Sequence, residues 1–167
     1  MTRLEVPVQL RWSDMDAYAH VNNVEMLRLL EEARIEVFWS HPPTPDGSVR
    51  HWPTAVIDAA PGAPLSTLVA RQEIEYLRPL AYRRRPVVIE MWLGHLGGAS
   101  LDVCYEVRDL PPADPASVIY AKAVTTLVIV DAVTGAPQRI DEEVRAAWAP
   151  YVEEPVRMRR RGSRTDA

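Results

Sequence analysis

Between Asp14 and Asn23 the chain reads DMDAYAHVNN, which sets two aspartates, a histidine and two asparagines within ten residues. A run with apolar residues at helical spacing, VEMLRLLEEAR, follows directly. Polar residues ahead of an apolar helix have one ordinary explanation, a helix cap. With Asn22 as N-cap, Glu25 falls at N3 in an Asn-x-x-Glu variant of the capping box, and Val21 and Met26 take the two positions of a hydrophobic staple. That explains Asn22 and Glu25. It leaves Asp14, Asp16 and His20 without a reason.

The cap also has a chemical consequence. At the first helical position the backbone N–H of Asn23 has no intrahelical partner, and it points outward at the positive end of the helix macrodipole. Such a donor can hold a carbonyl oxygen that turns into an oxyanion. A carboxylate a few residues upstream can attack the carbonyl carbon or activate a water against it. Carboxylate plus helix-end amide therefore makes an acyl-transfer site that needs no serine, cysteine, metal or redox cofactor.

Several elements must position that site. VPVQLRW (Val6 to Trp12) alternates as a first strand, and the helix is expected from about Val24 to Trp39. Its residues Met26, Leu29, Leu30, Ala33 and Val37 form one apolar stripe, and Val24, Leu27, Ile35, Phe38 and Trp39 form a second. Only Glu25, Glu32 and Glu36 are clearly wet, so the expectation is a central helix wrapped on most sides. His41 to Pro53 is a turn-rich loop centred on Pro-Asp-Gly, and Thr54 to Ala59 is a candidate short strand. Four longer runs then alternate with period two: TLVARQEIEYL, PVVIEMWL, SLDVCYEVRDL and SVIYAKAVTTLVIVD. In the first, Leu68, Ala70, Ile74 and Tyr76 share a face against Arg71, Glu73 and Glu75. In the third, Leu101, Val103, Tyr105 and Val107 oppose Asp102, Glu106 and Arg108. GHLGGAS and LPPADPAS have hairpin lengths, which makes the sheet mostly antiparallel. Asp141 to Trp148 is a short closing helix.

At 167 residues the chain suits one domain with a real core, assigned to residues 1–154, with a basic, solvated tail over 155–167. A net charge of −4 argues against a dedicated nucleic-acid binder. No uninterrupted apolar run approaches the ~20 residues of a spanning helix, and the N-terminus lacks a signal-peptide pattern, so the expected location is cytoplasmic, without membrane insertion. Cys104, the only cysteine, falls in the alternating LDVCYEV and reads as a packed thiol.

Asp-x-Asp-x-x-Gly-His-Val-Asn-Asn after a strand and before a long apolar helix ending LEEAR is a known pattern, matched here by DMDAYAHVNN and LRLLEEAR. The chain thereby resembles the hot-dog acyl-CoA thioesterases related to 4-hydroxybenzoyl-CoA thioesterase. IEYLRPLAYRRRPVVIEMWL is similar to that family's strand–loop–strand segment, and the likeness runs from about Val6 to Asp131. It implies an α+β hot-dog fold: a long central helix wrapped by a mostly antiparallel sheet of five to six strands. It implies hydrolysis of an acyl thioester, with acyl-CoA or an acyl carrier protein as donor and CoA present only as part of the substrate. It implies Asp16 as catalytic nucleophile or general base, the helix-end amide at Asn23, and His20 and Asn22 orienting groups around the carbonyl. Asp14 is expected to brace the loop. A homodimer is implied, with a homotetramer as the larger option, because the family's site lies at a subunit interface.

Two departures stand out. Ala19 occupies the position of the family's glycine, which matters if that residue needs a positive φ. Relatives hold nucleotide phosphates with basic side chains at the hairpin matching HLGGAS, where only His95 is available, which leaves Arg83, Arg84 and Arg85 on another loop as substitutes. Two rival readings remain. Asp14, Asp16 and His20 are possible metal ligands, although no second histidine supports the set. A non-catalytic acyl-thioester binding module or metabolite sensor would keep the helix-end amide and dispense with the carboxylate.

Overall fold

Strand β1 (Leu4–Val8) opens a computed structural model that describes residues 2–40, 52–58 and 60–159. Helix α1 (Asn23–Phe38) follows, then the strands β2 (Leu65–Tyr76), β3 (Val87–Leu96), β4 (Ser100–Arg108) and β5 (Ile119–Asp131), and the short helix α2 (Glu142–Trp148). The strands form one antiparallel five-stranded sheet in the order β1-β3-β4-β5-β2, so β1 and β2 are its edges.

Period-two alternation decides the two faces. Val87, Ile89, Met91 and Leu93 of β3, Leu101, Val103, Tyr105 and Val107 of β4, and Ala121, Ala123, Leu127 and Ile129 of β5 all enter one core cluster. From α1 that cluster takes Met26, Leu29, Leu30, Ala33, Val37 and Phe38. The first apolar stripe of the helix is thus buried as expected. The second is buried only at Phe38; Leu27, Ile35 and Trp39 are half-buried and Val24 is 65% exposed, so the helix is not wrapped on most sides as expected. The helix also buries Arg34, whose Nη1 donates to the Tyr105 hydroxyl at 3.2 Å.

Three expectations change. The first strand stops at Val8 rather than Trp12, because the Asp14 carboxylate takes the Arg11 amide at 2.7 Å and a 3-10 turn forms over Trp12–Asp14. No strand forms from Thr54; Ile57 makes only an isolated bridge to Trp39. In β2 the register slips between Val69 and Arg71. Val69 therefore pairs with Leu127 and Ile74 with Ala123, so the face shared by Leu68 and Ala70 is not that of Ile74 and Tyr76. Most of the Pro-Asp-Gly loop, with His41 and His51, lies outside the described residues.

The other sheet face carries charge and a strap. Arg108 Nε meets Glu90 at 2.9 Å, and the Arg3 guanidinium lies 3.7 Å from the centre of the Trp92 ring. The start of the expected solvated tail is ordered against this face. Val156 is buried with Trp92 and Cys104, and the Arg159 amide donates to Glu75 at 3.0 Å. A side chain at Gly94 would meet Cys104 Sγ at 2.7 Å and the Pro155 backbone at 3.2 Å, so only glycine lets the strap lie there. Residues 160–167 of the tail fall outside the described ones. Cys104 is a packed thiol, and burial pushes its pKa up.

Candidate active site

The polar stretch folds back on itself as a small antiparallel ladder. The Asn22 amide donates to the Asp14 carbonyl at 2.8 Å, Met15 bridges Val21, and the Asp16 amide donates to the His20 carbonyl at 2.7 Å. Asp16 and His20 therefore face each other two rungs from the helix cap, roughly 7 Å along the chain. The ladder is docked on the following segment, where the Val21 amide reaches the Leu80 carbonyl and His20 bridges Ala81.

Asp14 holds this assembly down. Its side chain is fully buried; Oδ2 accepts the Arg11 amide, and Oδ1 accepts Arg11 Nε at 3.0 Å and Arg28 Nη2 at 2.8 Å. Burial by itself would raise its pKa, but the Arg11 amide and the two guanidiniums outweigh that and hold it below the ordinary carboxylate value. Asp14 is a brace, as expected.

Asp16 is half-buried and shares in building its own loop. Oδ1 accepts the Tyr18 amide at 2.8 Å and the His20 amide at 3.1 Å. Among the described residues no hydrogen bond reaches Oδ2, and the carboxylate is in no ion pair. One oxygen is structural; the other is available.

The cap forms half as expected. Asn22 is the N-cap and its Oδ1 accepts the Val24 amide at 2.9 Å. The reciprocal half of the capping box is absent, because the Asn22 amide is used by Asp14 and Glu25 turns to Arg28 Nε at 2.6 Å. Among the described residues the Asn23 amide has no acceptor. Tyr76, which alternation set on the apolar face of its strand, is 46% exposed, and its hydroxyl donates to the Asn23 carbonyl at 3.2 Å. That bond ties the end of β2 to the start of α1. Alternation alone contained no signal for it, since the contact joins residues remote in sequence. A groove of about 300 Å³ opens beside it, lined by His20, Val21, Met26, Tyr76, Arg78 and Leu80 among others.

Ala19 sits at φ 60°, the left-handed region. The position does need the glycine conformation, and alanine adopts it against a strain of about 1–2 kcal/mol. Ala19→Gly is therefore expected to stabilise the fold by about 0.5–1 kcal/mol, once the greater freedom of glycine in the unfolded chain is subtracted. Urea midpoints at equal slope would measure it; an unchanged or lower midpoint would show the loop to be unstrained.

The three arginines do not act alike. Arg83 is engaged inside the chain, with Nη2 donating to the Tyr120 hydroxyl at 3.1 Å and Nη1 paired to Asp109 at 3.4 Å. Arg84 and Arg85 are exposed, with no ion pair to a described residue. Among the described residues no three His, Cys, Asp or Glu side chains are grouped as ligands for a metal ion.

The family described as the thioesterase-like superfamily matches residues 10–148. No curated protein matches the sequence. Among solved structures, a "predicted thioesterase" from Bacillus stearothermophilus superposes with a TM-score of 0.68 at 22% identity, covering 93% of this chain and 100% of that one. A "probable thioesterase" from Escherichia coli gives 0.62 at 24% identity, covering 92% and 100%. A "putative acyl-CoA thioesterase" from Xanthomonas campestris gives 0.60 at 26% identity, covering 82% and 98%.

Proposed function

The chain belongs to the thioesterase-like superfamily, and from that premise we propose that it hydrolyses an acyl thioester, foremost an acyl-CoA, to a free carboxylic acid and a thiol. The reading rests on one observation: the ladder sets Asp16 opposite His20, two rungs from the Asn22 cap beyond which the Asn23 amide has no acceptor among the described residues, and His20 lines an open groove.

In this scheme the substrate carbonyl oxygen lies against the Asn23 N–H at the positive end of α1. Asp16 either attacks the carbonyl carbon or takes a proton from the water that does. The tetrahedral oxyanion is held by the amide, an interaction worth roughly 3–4 kcal/mol at the transition state. Its collapse breaks the C–S bond and releases the thiol with the transferred proton. In the nucleophilic variant the C–S bond breaks to release a thiolate as the acyl group passes to Asp16 as an anhydride; the water that then cleaves the anhydride frees the carboxylic acid, restores the Asp16 carboxylate and leaves the proton that the thiolate takes up. His20, facing Asp16 across the ladder, orients the water or the carbonyl; Asn22 acts by fixing the helix end. No metal or redox group enters the scheme.

Arg84 and Arg85 are the foremost proposed contacts for CoA phosphates, since they are exposed, whereas Arg83 is already engaged by Tyr120 and Asp109. An acyl carrier protein remains the alternative donor. A second copy along β2 completes the proposal. Among the described residues that strand is an edge of the sheet, and it carries Leu68 at 51%, Val69 at 46% and Tyr76 at 46% exposure, which favours pairing with another chain. No helix is long and apolar enough to cross a membrane among the described residues.

A panel of acyl-CoAs with free thiol as readout tests the proposal, with kcat/KM of about 10⁴ M⁻¹ s⁻¹ or more expected for the best substrate. The competing reading, a binding module, draws on the loop hydrogen bonds of Asp16 Oδ1, which give the carboxylate a structural task without catalysis. Tight acyl-CoA binding without thiol release would establish it.

A further inference from the structure

We propose that Tyr76 is a positioning residue for the hydrolysis: its hydroxyl fixes the first turn of α1 and thereby the aim of the Asn23 amide, and the end of the C-terminal strap at Arg159 holds Tyr76 in place from the opposite face of the sheet. The inference rests on the thioesterase reading and deepens it by naming a residue that acts through the helix end.

An amide that is to hold an oxyanion must keep its direction, yet the first turn is where a helix frays. Here the peptide between Asn23 and Val24 is held at both ends. Its N–H, that of Val24, donates to Asn22 Oδ1 at 2.9 Å, and its carbonyl, that of Asn23, accepts the Tyr76 hydroxyl at 3.2 Å. One residue earlier, the Asn22 amide is tied to the Asp14 carbonyl at 2.8 Å. Asn23 is therefore gripped on either side, while its own N–H has no acceptor among the described residues. Of these three bonds only that of Tyr76 reaches outside the polar stretch and the cap, so it sets the start of the helix against the sheet. Burial pushes the pKa of the Tyr76 hydroxyl up, which keeps it protonated and able to donate at neutral pH.

Tyr76 is the last residue of β2, and strand ends open first. Its register partner on β5 is Ala121. On the outer face the neighbouring Glu75, turned away from Tyr76 by alternation, accepts the Arg159 amide at 3.0 Å with one oxygen and meets Arg159 Nε at 3.1 Å with the other. The guanidinium stands largely in water and adds little, so the amide is the firmer contact. Arg159 can offer that amide because the strap is anchored behind it. The Glu153 amide donates to the Leu93 carbonyl at 2.9 Å, the Trp92 indole donates to the Glu154 carbonyl at 2.9 Å, and Val156 is buried beside Trp92 and Cys104. Contacts thus run from the strap through Glu75 and Tyr76 to Asn23.

Steady-state kinetics of the full chain on its best acyl-CoA test both halves. Tyr76→Phe keeps the ring and removes only the hydroxyl; it is expected to lower kcat about 10–100-fold with KM within about twofold, a smaller loss than removing an oxyanion donor outright. Glu75→Ala, which removes the hold of the strap, is expected to lower kcat about 3–10-fold, and the double variant to be no slower than Tyr76→Phe, because the strap acts through Tyr76. An unchanged kcat in Tyr76→Phe, or a raised KM in its place, would overturn the positioning role. Losses that multiply in the double variant would overturn the route from the strap. Amide exchange followed by NMR reads the helix end without turnover. The Val24 and Met26 amides, each bonded to Asn22 at 2.9 Å, are expected to exchange about tenfold faster in Tyr76→Phe, and unchanged exchange would sink the inference. If wild type releases no thiol while exchange quickens in the variant, the hydrolase reading fails and the fixing of the helix end by Tyr76 stands. If wild type hydrolyses and Tyr76→Phe matches it, the reverse holds.

Discussion

Asp16→Asn is expected to lower thioester hydrolysis by about 10²–10⁴-fold while leaving the fold and acyl-CoA binding in place. The substitution separates the two tasks of the side chain. An asparagine Oδ1 can still accept the Tyr18 and His20 amides, at 2.8 and 3.1 Å in the native loop, so the ladder survives. The neutral amide lacks the basic oxygen that would activate water or attack the carbonyl. Thiol release from the best acyl-CoA, together with calorimetric affinity for a thioether analogue, reads both properties. A variant that folds and cleaves as fast as wild type would remove Asp16 from the chemistry and reduce it to a loop cap.

The second large effect concerns stability. Asp14→Asn leaves two arginines facing a neutral group in a fully buried position, at an expected cost of about 3 kcal/mol. The low end of the usual range applies because Arg11 is 56% and Arg28 27% exposed, so water partly compensates both. For a chain of this length that corresponds to a fall in Tm of roughly 6–12 °C. The pH dependence follows from the direction of the shift. The folded-state pKa is held below its ordinary 3.8, so the stabilisation is fully present above that value and is lost as pH falls through the folded-state pKa. The wild-type advantage over Asp14→Asn is therefore expected to be constant at neutral pH and to shrink below about pH 4. Thermal melts of both proteins across that range check it; a gap that widened on acidification would mean the carboxylate is not held ionised by its arginines.

How far each feature was legible in the sequence depends on the range of the interaction behind it. Alternation in β4 identified Leu101, Val103, Tyr105 and Val107 as the buried face because the side-chain period of a strand is a local property. Asn22 as N-cap and the start of α1 were legible for the same reason: a cap is made by residues two or three apart. The left-handed requirement at Ala19 was visible only through the resemblance to a glycine-bearing motif, and the φ of 60° bears it out.

Other features were not legible. The bulge at Val69–Arg71 reverses which β2 residues face the core, and it arises from pairing with β5, some 55 residues on. Glu25 abandoned the capping box for Arg28, and Arg83 was taken by Asp109 and Tyr120, because charges choose partners by proximity in space. The bond from Tyr76 to Asn23 depends on how separate elements dock. The sequence by itself determined where α1 begins, and so which backbone amide is left without an intrahelical partner, since a cap is made by neighbouring residues. Only the tertiary structure decided what surrounds that amide, because side-chain partners and cavities are set by distances between residues far apart along the chain.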